Sequence, residues 1–201
     1  DALPIFGLGN GIAQKYYDMV LKDPAGRDAR GYIISANQSD FATATKFVNA
    51  LIRTGILVHK ATAEFTVEGK KYPAGSYIVK TAQSFRPHVL DMFEPQDHPN
   101  DFPYPGGPPT RPYDAAGWTL AYQMGVQFDR VINAFDGPFE RIPYGELQNP
   151  GGKIDAAAPA GYTLSARANN SFIAVNDLLG AGIPVFRLPQ GSGATEAGVF
   201  F

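Results

Sequence analysis

The spacing of apolar positions changes several times along the chain, and each change marks an element. Ile12, Tyr16, Met19 and Val20 recur at helical spacing, which predicts a helix over 11–21 with Pro24 beyond its end. Residues 32–36 (YIISA) form a short apolar run of the kind a buried strand carries. The chain turns over 37–40, where Ser39 or Asp40 is placed to cap the next helix. Phe41, Ala44, Phe47, Val48, Leu51 and Ile52 then make one helical stripe, and Gly55 supplies a left-handed stop. Residues 56–59 read as a second strand. A strand–helix–strand unit with joints this short is expected to be parallel and right-handed.

Residues 64–80 read as a β-hairpin or arm that turns at Glu68–Gly69 and leaves through SYIVK. Residues 85–93 predict a short helix with Pro87 in its first turn. From Gln83 to Trp118 runs an insert with a charged apolar start, a proline-rich middle and an amphipathic restart at Tyr113. Irregular loops of that length usually serve a purpose, and the insert is expected to cross between two half-units. Asp114 is placed to cap a helix reaching Met124, with Gly125 as its stop. Residues 126–135 read as a strand region and 136–159 as an irregular excursion.

The first pattern then returns. Gly161-Tyr162-Thr163-Leu164-Ser165-Ala166 echoes Gly31-Tyr32-Ile33-Ile34-Ser35-Ala36. The helix from Ser171, with Phe172, Val175, Leu178 and Leu179, echoes the one from Asp40. Gly182 matches Gly55, Pro184–Leu188 matches the strand after it, and Ala197-Gly198-Val199-Phe200-Phe201 resembles Ala74-Gly75-Ser76-Tyr77-Ile78. Two related βαβ halves and a proline-rich insert predict one open, mostly parallel α/β sheet with helices on both faces. Residues 1–24 are then a lead-in segment and helix, and 25–201 a single α/β domain.

Composition narrows the function classes. A chain of 201 residues with 44% hydrophobic and 18% charged residues can bury an ordinary core. A net charge of −2 with scattered Lys and Arg gives no footprint for nucleic acid. No apolar run approaches the roughly 20 residues that span a bilayer, so membrane insertion is not expected. The 17 prolines and 22 glycines gather in loops among many aromatic residues, which predicts long ordered connections. The absence of cysteine removes disulfides, thiol catalysis and cysteine-held zinc. A start at Asp1 and a stop within the apolar run at Phe200–Phe201 suggest a piece of a longer protein.

No complete catalytic set is visible. His88 and Asp91 share a helical face and His98 and Asp101 share the same spacing, but neither pair is HxxE, no HExxH occurs, and His59 stands alone. There is no G-x-S-x-G elbow. Ser35 and Ser165 end strands, where open α/β sheets place functional groups, yet a repeated Ser-Ala also suits a strand-capping turn. Asp91, Glu94, Asp97, Asp101 and Asp114 could supply a carboxylate pair, with nothing in the spacing to bring two together. Gly7-Leu8-Gly9-Asn10-Gly11 lacks the strand and the lysine–hydroxyl pair of a phosphate loop. What remains is a contact surface of aromatic and hydrogen-bonding side chains on rigid prolines. Its expected binding or interdomain residues are Gln83, Arg86, Tyr113, Asp114 and Trp118.

The run PAGSYIVKTAQSFRPHVLDMFEPQ, with RPYDAAGWTLAYQMGV after it, resembles the region downstream of the catalytic domain in bacterial M14-family zinc carboxypeptidase-like proteins. The matching pieces are Pro73-Ala74-Gly75, Gln83 to Pro87, and Pro112-Tyr113-Asp114 through Trp118-Thr119-Leu120 to Met124-Gly125. That region is similar to class I glutamine amidotransferase-like domains, a flavodoxin-like α/β fold. The family's HxxE zinc pair, later histidine and catalytic glutamate have no counterpart here, nor has the amidotransferase cysteine. The resemblance therefore implies a non-catalytic accessory domain that packs on the catalytic domain of the same polypeptide or helps admit its substrate. Zinc would belong to the parent's catalytic domain and no cofactor to this chain, and the location would be periplasmic or secreted. Two alternatives are a small-molecule binding module with a pocket near Ser35 and Ser165, and a free-standing hydrolase of amidotransferase-like fold.

Overall fold

The computed structural model describes residues 29–95, 102–111, 119–152, 154, 161–191 and 197–201. The helix expected over 11–21, and Tyr113, Asp114 and Trp118, lie outside them. The first unit opens with β1 (Gly31–Ile34), α1 (Phe41–Arg53) and β2 (His59–Ala61). Asp40 caps α1, its Oδ1 accepting the Thr43 backbone N–H at 3.0 Å. The apolar stripe of α1 faces inward, with Ala44, Phe47, Val48 and Leu51 buried. Gly55, at φ +90°, ends the helix in the left-handed region that glycine alone adopts cheaply.

β3 (Phe65–Val67) and β4 (Lys70–Tyr72) form a separate hairpin, turning through Glu68 at φ 49° and Gly69 at φ 81°. Positive φ at both turn positions matches the right-handed twist of the flanking strands. The chain then returns as β5 (Tyr77–Lys80), which pairs antiparallel with both β1 and β2. β6 (Asp129–Val131) lies antiparallel on the outer edge of β1, and β7 (Phe139–Arg141) likewise on that of β2. The five strands are ordered β6-β1-β5-β2-β7.

This corrects the expected open, mostly parallel, flavodoxin-like sheet. β1 and β2 do run in the same direction around α1, but β5 lies between them and every pairing is antiparallel. The cause is local. Ala61 donates to the Ser76 carbonyl at 2.9 Å and Gly75 donates to the Ala61 carbonyl at 2.8 Å. β2 and β5 thus close as a hairpin whose loop is the β3–β4 arm. Short-range closure fills the place that a parallel partner of β1 would need.

Among the described residues the helices of the first unit share one face of its sheet. Tyr32, Ile34, Tyr77 and Val79 pack against α1, against Val89 and Phe93 of α2 (Arg86–Phe93), and against Ala121 of the one-turn α3 (Leu120–Gln123). The opposite face, with Ile33, Ala61, Ile78 and Val131, is covered by Phe65, Val67 and Tyr72 of the hairpin. The described ends of the insert meet on the first unit: the Thr119 hydroxyl donates to the Glu94 carbonyl at 2.7 Å and its N–H to the Asp91 carbonyl at 3.0 Å. Thr119 is held at φ 56°, an uncommon backbone for a β-branched residue.

β7 falls in the stretch read as an irregular excursion. Pro138 and Pro143 bracket its three residues, which suits an edge strand and hides it from any pattern of alternation. The strand region expected over 126–135 shortens to β6.

Beyond residue 160 the described residues form a second, smaller unit around α4 (Asn169–Gly180). Leu164 and Arg187 each form an antiparallel bridge with Phe200. These bridges match the pairings Ile34–Tyr77 and Lys60–Tyr77 of the first unit. The hydrogen bonds repeat in detail. Leu188 donates to Val199 and Gly198 to Leu188, as Ala61 does to Ser76 and Gly75 to Ala61. Gly182 donates to Leu179 and Ile183 to Leu178 after α4, as Gly55 does to Ile52 and Ile56 to Leu51 after α1. The halves are therefore related as split units, each with a third strand between its outer two, and not as parallel βαβ units.

The geometry also explains the echoing dipeptides. A Cβ on Gly75 would lie 3.9 Å from the Cβ of Ala36, and one on Gly198 would lie 3.6 Å from that of Ala166. The Ser-Ala turn and the Ala-Gly strand start meet in space in both units. Ser35 Oγ accepts the Asn37 N–H at 3.1 Å, and Ser165 Oγ accepts the Arg167 N–H at 3.2 Å.

Candidate interaction surface

The polar side chains favoured by sequence are placed unevenly. Gln83 is turned inward along the backbone: its Oε1 accepts the Leu57 N–H at 2.7 Å, and its Nε2 donates to the carbonyls of Leu57 at 3.2 Å and Lys80 at 2.6 Å. The amide acts as a substitute strand beside Leu57, just ahead of β2. Arg86 opens α2 and is half-buried. The other three predicted contact residues lie outside the described residues, so Gln83 and Arg86 alone place this surface in the fold.

The start of the insert is tied to the sheet by a network that the sequence did not disclose. Tyr32 donates its phenol to Glu94 Oε1 at 2.6 Å, and Arg130 Nε donates to the same oxygen at 2.7 Å. Burial first, then the hydrogen bond to Glu94 and its charge, push the Tyr32 phenol far above its ordinary range. Tyr32 therefore stays a donor at all ordinary pH values. Phe93 stacks on the same ring at 4.2 Å and meets Phe47 edge-on at 5.2 Å. No spacing rule links Tyr32, Glu94 and Arg130, which come from β1, the end of α2 and β6.

His88 Nε2 lies 3.0 Å from the Thr54 hydroxyl at the end of α1. His59 is part of β2, with a buried Nδ1 that has no hydrogen-bond partner among the described residues. Among those residues no three His, Asp or Glu side chains converge as a metal site, so they do not fit a zinc ion. No helix among them is long and apolar enough to cross a membrane.

The feature that sets the second unit apart emerges when equivalent positions are compared. Tyr162 stands where Tyr32 does, Leu179 where Ile52 does, Ile183 where Ile56 does and Phe201 where Ile78 does. The four residues of the first unit are 0%, 4%, 3% and 0% exposed, whereas those of the second are 53%, 55%, 49% and 51% exposed. Phe186, the counterpart of His59, is 61% exposed and stacks on Phe201 at 5.7 Å. Phe172 packs edge-on against Phe200 at 5.4 Å, so the inner contact between helix and strand is made. Large apolar side chains are thus exposed at repeat positions that the first unit seals on its helix side (Tyr162, Leu179 and Ile183) and on its opposite side (Phe201, beside Phe186). Large apolar side chains exposed side by side, as the stacked Phe186 and Phe201 are, mark an interaction site in a folded protein.

Sequence reasoning found the repeat but missed this surface. Counting which repeat positions carry core-type residues, and asking what covers them, would have pointed to it. Comparisons with protein-family models, with curated proteins and with solved structures find no match for this chain.

Proposed function

We propose that this chain is a non-catalytic docking module whose second unit packs against another folded body. The partner best suited to it is the catalytic domain of an M14-like zinc carboxypeptidase in the same polypeptide. The observation that carries the docking reading is the matched pair of units, in which core-type residues at equivalent positions are covered in one and bare in the other. Moving a large apolar side chain from water into an interface stabilises by about 1.5–3 kcal/mol before the costs of association. Phe186 and Phe201 together therefore supply a hydrophobic centre of the kind that anchors an interface. The choice of partner rests on the resemblance of 73–96 and 111–126 to the downstream region of such enzymes.

The test is association in solution between this chain and the zinc-loaded catalytic domain of its own polypeptide. The expected result is a one-to-one complex that the double substitution Phe186→Glu, Phe201→Glu weakens by about tenfold or more. An absent complex, or one indifferent to that double substitution, would overturn the reading.

A small-molecule module is the second reading. It is favoured by a hollow of about 470 Å³ beyond the end of β1, lined by Ala36, Asn37, Glu64, Lys71, Tyr72 and Pro73. It adjoins Ser35, one of the two strand-end serines. Thermal stabilisation by a metabolite panel, lost in Lys71→Ala, would support it over docking.

A further inference from the structure

We propose that the helix side of the second unit is a cradle for an amphipathic α-helix presenting an aromatic residue, as α2 does on the first unit. The inference rests on the docking reading, in which the second unit is an open surface, and names the chemistry of what fills one side of it.

The first unit shows how such a cradle is occupied. Val89 and Phe93 of α2, four residues apart on one helical face, join the same core as Ile52 and Ile56. Phe93 lies flat on Tyr32. At the other end of α2, Phe85 closes over the end of α1, and a Cβ on Gly55 would come 3.1 Å from its ring. His88 meets Thr54 beside it.

The second unit repeats the receiving side of this contact. By its place in the repeat Tyr162 corresponds to Tyr32, while Leu179 and Ile183 take the positions of the aliphatic floor Ile52 and Ile56, and Gly182 that of Gly55. Gly182 has φ +75° against +90° at Gly55, so the helix end is built the same way. Among the described residues a Cβ on Gly182 would meet nothing within 4 Å, and the Tyr162 ring is half exposed. The floor is present and the covering helix is not among the described residues. The residues that form this floor, Tyr162, Leu179, Gly182 and Ile183, carry no charge, which favours an apolar helix over a nucleic acid or a lipid headgroup.

The probe is a helix-stapled peptide with the sequence of residues 84–95, carrying a photo-crosslinker in place of Phe85, added to the intact chain. Stapling removes most of the ordering cost that so short a helix meets in water. We expect saturable binding, crosslinks on residues near Gly182, and a loss of about tenfold or more in affinity for Leu179→Asp. Leu179 is exposed, so that variant should keep the melting temperature and circular dichroism of the parent chain. A peptide with Ala at the positions of Val89 and Phe93 should not bind. No binding, or crosslinks that ignore Leu179→Asp, would overturn the cradle while leaving the Phe186–Phe201 contact with the catalytic domain standing. Conversely, peptide binding at Gly182 beside an intact complex of the double phenylalanine variant would retain the cradle and remove the reading of the other face.

Discussion

The two units share a hydrogen-bond register but not an environment. In the first, Ile52, Ile56, Tyr32 and Ile78 are sealed by α2, α3 and the β3–β4 hairpin. In the second, the residues at the same places are about half exposed. Since the backbone pairings agree, the repeated frame does not itself depend on full burial of its outer faces. What distinguishes the units is the set of covering elements, and those elements are where a related pair can acquire different tasks. One unit is sealed by its own chain, whereas the other has large apolar side chains exposed.

The sharpest test of this contrast uses matched truncations. Ile52→Ala, at a sealed position, should cost about 2–5 kcal/mol of stability in denaturant unfolding. Leu179→Ala, at the equivalent open position, should change stability by no more than about 0.5 kcal/mol. Equal costs would mean that the second unit is sealed in solution and that the comparison fails. If a docking partner is present, the cost at Leu179 should rise toward that at Ile52.

How much of this was visible in the sequence divides along physical lines. α1 was legible because its stripe, its Asp40 cap and its Gly55 stop all lie within a few residues of one another. The hairpin was legible at Glu68–Gly69 for the same reason. The sheet was misread because strand direction depends on which neighbour a strand finds. Nothing in the residues of β2 states that Ser76 and Gly75 will close back onto Ala61. The polarity of Gln83 suits a contact residue, but its amide bonds the Leu57 backbone, a partner 26 residues away that no local pattern identifies. The Tyr32–Glu94–Arg130 network stayed hidden because its members are far apart in the chain. The repeat was legible because Ser-Ala and Ala-Gly must both be small where they meet.

A second way to sharpen the comparison is to give the first unit the residue of the second. His59 sits where Phe186 sits, and its Nδ1 is buried without a partner among the described residues. Burial first, then the charges of Lys80 and Arg141, hold its imidazole below the ordinary histidine value, with Asp136 opposing. A lowered folded value means that stability is fully present above the unfolded value of about 6.5 and is lost as pH falls through the folded one. His59→Phe should therefore gain about 1 kcal/mol at neutral pH by removing an unsatisfied buried group. It should also flatten the stability profile below about pH 6.5. An unchanged acid slope in urea unfolding would show that His59 is neutral to folding.

The smallest expected effect lies at the seam between the units. Asp40 caps α1 through Oδ1, while Oδ2 accepts the backbone N–H of Asn169 at 3.0 Å, at the start of α4. Asn169 Nδ2 donates to the Thr43 hydroxyl at 3.0 Å beside it. Burial works to raise the Asp40 carboxyl, but the hydrogen bonds from Asn169 and Thr43 outweigh it and hold the group below its ordinary value. The seam is therefore strongest above about pH 4 and weakens as pH falls through the lowered folded value. Asp40→Asn keeps a good cap for α1 and removes the charge at the start of α4. Because the site is largely solvated, the loss should be only about 0.5 kcal/mol or less. Amide hydrogen exchange resolves it better than global unfolding does. The Asn169 amide should exchange faster in Asp40→Asn at neutral pH, with the Leu51 and Ile52 amides of α1 unchanged. Equal exchange at Asn169 in both proteins would mean that the two units meet without this carboxylate.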